Sequence, residues 1–250
     1  MQKYEIITDQ EDENYGHIKA LTDFGEVKKG DIGGKIDNYN NLSQEGDCWV
    51  YINAQIRGNA KVYDNARIFG DARIFGDAEV YGSAWVYGNA TVYDNAKVYD
   101  NAEVYDNAWV FDNAEVSGQA EVYDKADLYG NAKVYGYALV YDSAKVYEDT
   151  EVYDNACVRD SAKVYANAKV YGSAEVYDNA EVYGNAQVFD SSEVYRNARV
   201  YDKAKVYDNA WVFGEAEVYG NATVFGNAEV CGNARVSGDA RVTGDAEARS

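Results

Sequence analysis

General-base, thiol and zinc chemistry draw mainly on histidine and cysteine, and this sequence holds little of either. His17 is the single histidine, and Cys48, Cys157 and Cys231 are the only cysteines in 250 residues. A general base must come within reach of the proton it removes. A nucleophilic serine or cysteine needs a base of its own. His17 stands alone near the start of the chain, far in sequence from any candidate nucleophile. No glycine-rich phosphate loop follows a strand pattern. One histidine and scattered cysteines do not compose a zinc site. The reading is therefore no catalytic residue, no metal and no cofactor, and it leans away from an enzyme.

Carboxylates are present in number. Asp and Glu total 43 against 23 Lys and Arg, a formal charge of −20. Stepping by eighteen along the chain, one row reads Trp85, Glu103, Glu121, Leu139, Cys157, Glu175, Glu193, Trp211 and Glu229. Beside it stand Asp106, Asp124, Asp142, Asp160 and Asp178. Like charges at strand spacing oppose stability. Such a row is either a solvated edge, screened by salt, or a docking stripe for a basic protein surface or divalent cations. In the second case Trp85, Leu139, Cys157 and Trp211 would be apolar anchors among the acids. The row is roughly palindromic, as a two-fold pair of chains would read, but that pairing sets Glu against Glu. The charge argues against nucleic acid and for solubility or a basic partner.

The elements that must position these groups come from one repeat. A small residue, almost always alanine, occupies each position divisible by six from Ala54 to Ala246; only Thr150 and Ser192 differ among the 33. Two residues on stands valine, or Ile56, Ile68, Ile74 or Leu128, with the terminal Ala248 the exception. Ala and Val thus alternate with an outer residue x and an outer aromatic, giving a short strand with one buried face. The Asp/Gly-Asn pair that follows is turn chemistry. A strand and a turn in every hexapeptide cannot form hairpins; they fit a parallel β-helix whose coils stack by main-chain hydrogen bonds.

The x positions fix the coil. Every third one reads Lys61, Glu79, Lys97, Glu115, Lys133, Glu151, Lys169, Gln187, Lys205, so the sign alternates from one to the next. Opposite charges on adjacent strands stabilise each other. Residues i and i+18 are then neighbours about 4.8 Å apart, and three hexapeptides make a triangular coil. The expectation is an all-β, single-stranded parallel β-helix of about 11 coils and roughly 50 Å. Of 32 outer aromatic positions, twenty hold Tyr and six hold Phe, for example Tyr129, Tyr147, Tyr165, Tyr183, Tyr201 and Tyr219. Stacked rings would shield the strand hydrogen bonds, each pair adding about 1 kcal/mol; a sticky or sugar-binding surface is the functional alternative.

The pattern in Val62-Tyr63-Asp64-Asn65-Ala66-Arg67 resembles the bacterial hexapeptide-repeat proteins, which form left-handed parallel β-helices. The left hand is implied only by that resemblance, since the general crossover rule points the other way. Many of that family are acyltransferases that use a coil histidine and an extruded loop; this array has neither. The segment from Leu21 through Asp31-Ile32-Gly33-Gly34, with Asn41 to Tyr51, is similar to the start of the YdcK-like bacterial and phage group of proteins labelled as transferases.

Residues 1–47 read as a small β-rich cap and 48–250 as the repeat. The outer aromatics give way to Cys231, Ser237 and Thr243, so C-terminal end stacking or side-by-side pairing is one expected route to a homo-oligomer. No apolar run spans a membrane, no signal peptide opens the chain, and unpaired cysteines fit a reducing compartment. The location expected is cytoplasmic, in the host if the chain is phage-encoded. Three functions follow: a non-enzymatic scaffold or interaction module; an acidic decoy, mimicking nucleic acid, for a basic host protein; and the acyltransferase implied by resemblance.

Overall fold

A computed structural model describes residues 2–8 and 16–249. Residues 1 and 9–15 of the expected cap, and residue 250, lie outside the described residues. The chain divides into two compact units, Met1–Asp124 and Lys125–Ser250. Among the described residues every regular element is a strand, and none is a helix. No helix is long and apolar enough to cross a membrane.

In the first unit, β1 (Tyr4–Thr8) and β2 (Gly16–Ala20) form an antiparallel pair, and β2 pairs antiparallel with β3 (Ile32–Ile36). Parallel stacking begins at β3, where Lys35 and Ile36 lie on Gln55 and Ile56. That step, like the bridge from Leu42 to Val62, is slightly longer than the later ones. From Trp49 on Arg67 the regular three-hexapeptide step holds throughout the unit. Three parallel ladders result, one per hexapeptide of the coil.

The N-terminal strands fill the base of this unit. Tyr4 and Ile18 are fully buried and Trp49 nearly so, with the Tyr4 hydroxyl donating to the Leu42 carbonyl at 2.7 Å. Lys3 is only 5 % exposed, and its ammonium donates to the carbonyls of Gly46 at 3.2 Å and Cys48 at 3.1 Å. The Cys48 sulfur lies 3.3 Å from the same nitrogen, and the Phe24 ring faces it at 4.9 Å. A buried charge is tolerable only when held in this way. Burial pushes the Cys48 thiol up, and Lys3 pulls the other way.

The second unit repeats the coil without interruption. Lys133, Glu151 and Lys169 are consecutive rungs, as are Glu181, Arg199, Glu217 and Arg235. The sign alternation therefore marks adjacent strands, as its period implies. Its ion pairs, such as Lys169–Glu151 at 3.0 Å and Lys163–Glu181 at 3.1 Å, are exposed and contribute little each. On the Lys133–Glu151–Lys169 ladder they replace like-charge contacts, whereas Lys145 on Lys163 is a like-charge rung that Asp127 and Glu181 flank.

In both units the inner wall is Ala and Val. From Ala54 to Val230 every alanine slot and every valine slot is fully buried. Thr150 and Ser192 fit because their hydroxyls donate to carbonyls three residues back, Tyr147 and Phe189, both at 2.8 Å. The first residue of each Asp/Gly-Asn pair carries the left-handed φ, as at Asp64 (58°) and Gly82 (69°). At Ile52-Asn53 the β-branched residue cannot adopt it, and Asn53 takes φ 77° instead. Ala166 holds φ 65° with no polar side chain to ease it. Ala166→Gly is expected to stabilise the protein by about 0.5–1 kcal/mol, the left-handed penalty less the entropy of glycine. A higher urea midpoint at unchanged m-value would show it; a lower one would contradict it.

Candidate functional site

The acidic row lies on one ladder within each unit. In the first, Arg67, Trp85, Glu103 and Glu121 are consecutive rungs. In the second, Leu139, Cys157, Glu175, Glu193, Trp211 and Glu229 follow one another. Glu103 on Glu121 and Glu175 on Glu193 are like-charge neighbours. Asp106 and Asp124 occupy left-handed turn positions in the first unit (φ 56° and 57°), and Asp142, Asp160 and Asp178 do so in the second (57° to 60°).

The geometry shows what many of these acids do. The Asp142 carboxylate accepts the Asp160 N–H at 3.3 Å, Asp160 accepts Asp178 N–H at 3.3 Å, and Asp178 accepts Arg196 N–H at 3.0 Å. Each side chain clamps the turn of the next coil. The same clamp recurs away from the row, from Asp64 to Gly82 and from Asp202 to Gly220. The turn position favours Asp because it tolerates the left-handed backbone and supplies an acceptor.

Glutamates of the row are engaged by tyrosine hydroxyls one coil below. Tyr87 donates to Glu103 at 2.9 Å, Tyr105 to Glu121 at 2.7 Å, and Tyr177 to Glu193 at 2.8 Å. Glu175 accepts instead from Arg159 at 3.1 Å. Arg159 stands in an aromatic slot, also pairs with Asp160 at 2.9 Å, and stacks on the Tyr177 ring at 4.0 Å. Burial, then the glutamate beside each hydroxyl, raises the Tyr87, Tyr105 and Tyr177 phenols well above the usual tyrosine range. Burial likewise pushes the half-buried Cys157 thiol up, the opposite of an activated nucleophile.

The apolar anchors are partly exposed: Trp85 by 39 % and Trp211 by 40 %. Trp85 meets the Phe69 ring edge-on at 5.9 Å, with the Arg67 guanidinium at the same distance from its own ring. Trp109 is more exposed than either, at 49 %, and lies on a different ladder. His17 lies on β2 beside Ile7 and Lys35, with Nδ1 2.8 Å from the Gly33 carbonyl oxygen. Among the described residues no group of three or more His, Cys, Asp and Glu side chains is arranged to hold a metal ion.

Two things escape the sequence reading. The turn clamps need the left-handed φ and the coil register together. The Tyr-to-Glu bonds join residues 16 apart, a spacing that follows from the coil but belongs to no familiar motif. Neutralising the clamps separates structure from docking. Asp142→Asn, Asp160→Asn and Asp178→Asn keep an acceptor and are expected to leave stability nearly unchanged. The corresponding alanines are expected to cost about 1–2 kcal/mol each through the lost bond and the strained turn. Chemical denaturation checks this, and equal losses in both series would refute the clamp.

Three short strands per turn, parallel ladders and a dry Ala/Val wall define a parallel β-solenoid. The family model of the YdcK beta solenoid repeat matches residues 84–100, 216–232 and 234–246. In those segments, and in its fold, the chain is similar to the YdcK β-solenoid repeat proteins. No curated protein matches it.

Proposed function

We propose that this protein is a non-enzymatic scaffold, a bacterial or phage interaction module working inside the cell. One observation carries the reading: the polar groups of its most distinctive surface are spent on holding the coils together. Asp142, Asp160 and Asp178 clamp turns, while Glu103, Glu121 and Glu193 receive tyrosine hydroxyls. A strand recurs in every hexapeptide from Trp49 onward, so the array offers no long loop to enclose a substrate. Three free cysteines accord with a reducing compartment. The test is acyl transfer from acetyl-coenzyme A to amine and hydroxyl acceptors. Rates equal to buffer are expected for the wild type and for His17→Ala. A robust activity lost in His17→Ala would instead establish the acyltransferase that resemblance implies.

A second reading rests on charge. Residues 77–124 carry ten acids and a single cation, Lys97, and they include exposed Trp85 and Trp109. Such a face suits a basic protein, by steering and by aromatic anchoring. Pull-downs before and after reversing Glu103, Glu121 and Asp124 to lysine test it. A basic partner insensitive to the reversal excludes this surface.

A further inference from the structure

The rings of the first unit form more than packing. Trp85, Phe69, Tyr87, Tyr105 and Tyr123 succeed one another with centroids 5.9, 4.7, 4.7 and 4.8 Å apart. The last three steps are stacked within 4° of parallel. Tyrosine gives up an electron at accessible potential only if its proton leaves as well, and that requires a base already on the hydroxyl. Glu103 and Glu121 occupy that position, at 2.9 Å from the Tyr87 oxygen and 2.7 Å from the Tyr105 oxygen. Trp85, the outermost ring of the series, reaches solvent.

We infer that Trp85 and the stacked tyrosines Tyr87 and Tyr105, with Glu103 and Glu121 as their proton acceptors, form a relay for oxidising equivalents delivered by diffusing one-electron oxidants. An oxidant removes one electron from the Trp85 indole and is itself reduced. Tyr87 returns that electron across Phe69 and passes its phenol proton to Glu103, leaving a neutral tyrosyl radical and a neutral glutamic acid. Tyr105 then supplies an electron to the Tyr87 radical. Glu103 gives its proton back to Tyr87, and Glu121 takes the proton of Tyr105. Glu103 is regenerated as a carboxylate when the radical moves on to Tyr105, and Glu121 then holds the Tyr105 proton, so the unit takes an oxidising equivalent from its surface into the ring stack without losing a proton to solvent.

Within the first unit the geometry separates two ladders: Tyr63 and Tyr99 reach their glutamates only at 3.4 and 3.3 Å. In the second unit Tyr177 holds Glu193 at 2.8 Å, and replacing Trp211 removes the exposed indole of that ladder. The Tyr87 and Tyr105 phenols are also held protonated by burial and by those glutamates, so each carries its proton until an electron departs.

The experiment is laser flash oxidation by photogenerated tris(bipyridine)ruthenium(III). It uses the full chain with Trp109→Phe and Trp211→Phe, which leaves Trp85 as the only indole exposed beyond a third. Transient absorption follows decay of the tryptophanyl radical into tyrosyl radical, and freeze-quenched electron paramagnetic resonance counts the tyrosyl product. In Glu103→Gln/Glu121→Gln the transfer is expected to slow about a hundredfold, the lower range for a positioned base. In Tyr87→Phe/Tyr105→Phe the tyrosyl yield is expected to fall several-fold, with the tryptophanyl radical persisting. Phenylalanine already fills Phe69, Phe75 and Phe111 in this array, so the second variant keeps the stack. Transfer in the glutamine variant as fast as in the Trp109→Phe/Trp211→Phe parent, or undiminished tyrosyl yield in the phenylalanine variant, overturns the relay.

Discussion

Ala168→Asp is expected to abolish the stability of its coil, while Ala168→Ser costs under about 1 kcal/mol. Ala168 is fully buried on the inner wall, one rung after Thr150. Thr150 and Ser192 already show how the wall accepts a hydroxyl, by donation to the carbonyl three residues earlier. A serine at 168 meets the Tyr165 carbonyl in the same way. A carboxylate has no donor there, and an uncompensated buried charge costs on the order of 3–5 kcal/mol or more. In a repeat array each coil leans only on its neighbours. The break therefore spreads to the adjacent rungs. Urea denaturation followed by circular dichroism is expected to show an early transition for Ala168→Asp and a curve near wild type for Ala168→Ser. Similar losses in the two variants would mean that volume, and not charge, limits the wall.

The tyrosine stacks predict an unusual response to base. Tyr147 and Tyr201 are raised from the ordinary 10.0 to about 12, chiefly by burial and then by neighbouring rings and glutamates. Tyr87, Tyr105, Tyr135 and Tyr165 lie higher still. In each the folded state holds its proton more tightly than the unfolded chain. Below pH 10 both states are protonated and the contribution to stability is complete. As pH rises from 10 through about 12, the unfolded chain ionises first and stability falls. Phenolate absorbance is thus expected to lag the pH and then climb steeply, together with loss of the circular dichroism of the strands. Most tyrosines ionising at their ordinary 10.0 with the strands intact would contradict this.

The sequence makes the coil legible because one constraint acts on every repeat. A slot beside the axis admits only a small side chain, and along one ladder the outer residues alternate in charge, so Ala60 and the Lys61–Glu79–Lys97–Glu115 series carry the register openly. The base of the solenoid is less legible. Its first steps, Lys35 to Gln55 and Leu42 to Val62, are longer than the regular coil and start outside the repeat. The acidic row shows a different limit. Counting charge at Asp142, Asp160 and Asp178 foresees repulsion, but each has an oxygen on the next turn's N–H, a contact set by backbone angle. The sequence likewise places Trp85 and Glu103 on one row, without showing that Tyr87 binds that glutamate.

The seat of Lys3 has a consequence for the order in which the chain acquires structure. Its ammonium is satisfied by carbonyls at Gly46 and Cys48, so the base cannot close before Cys48 has been synthesised. From there each new strand finds a ready edge three hexapeptides behind it. The loop to be closed is the same short length at every step, and closing short loops is what makes folding fast. A nascent chain can add coils at the pace of translation, with the strands closed around Lys3 as the template and only the newest strand left unpaired.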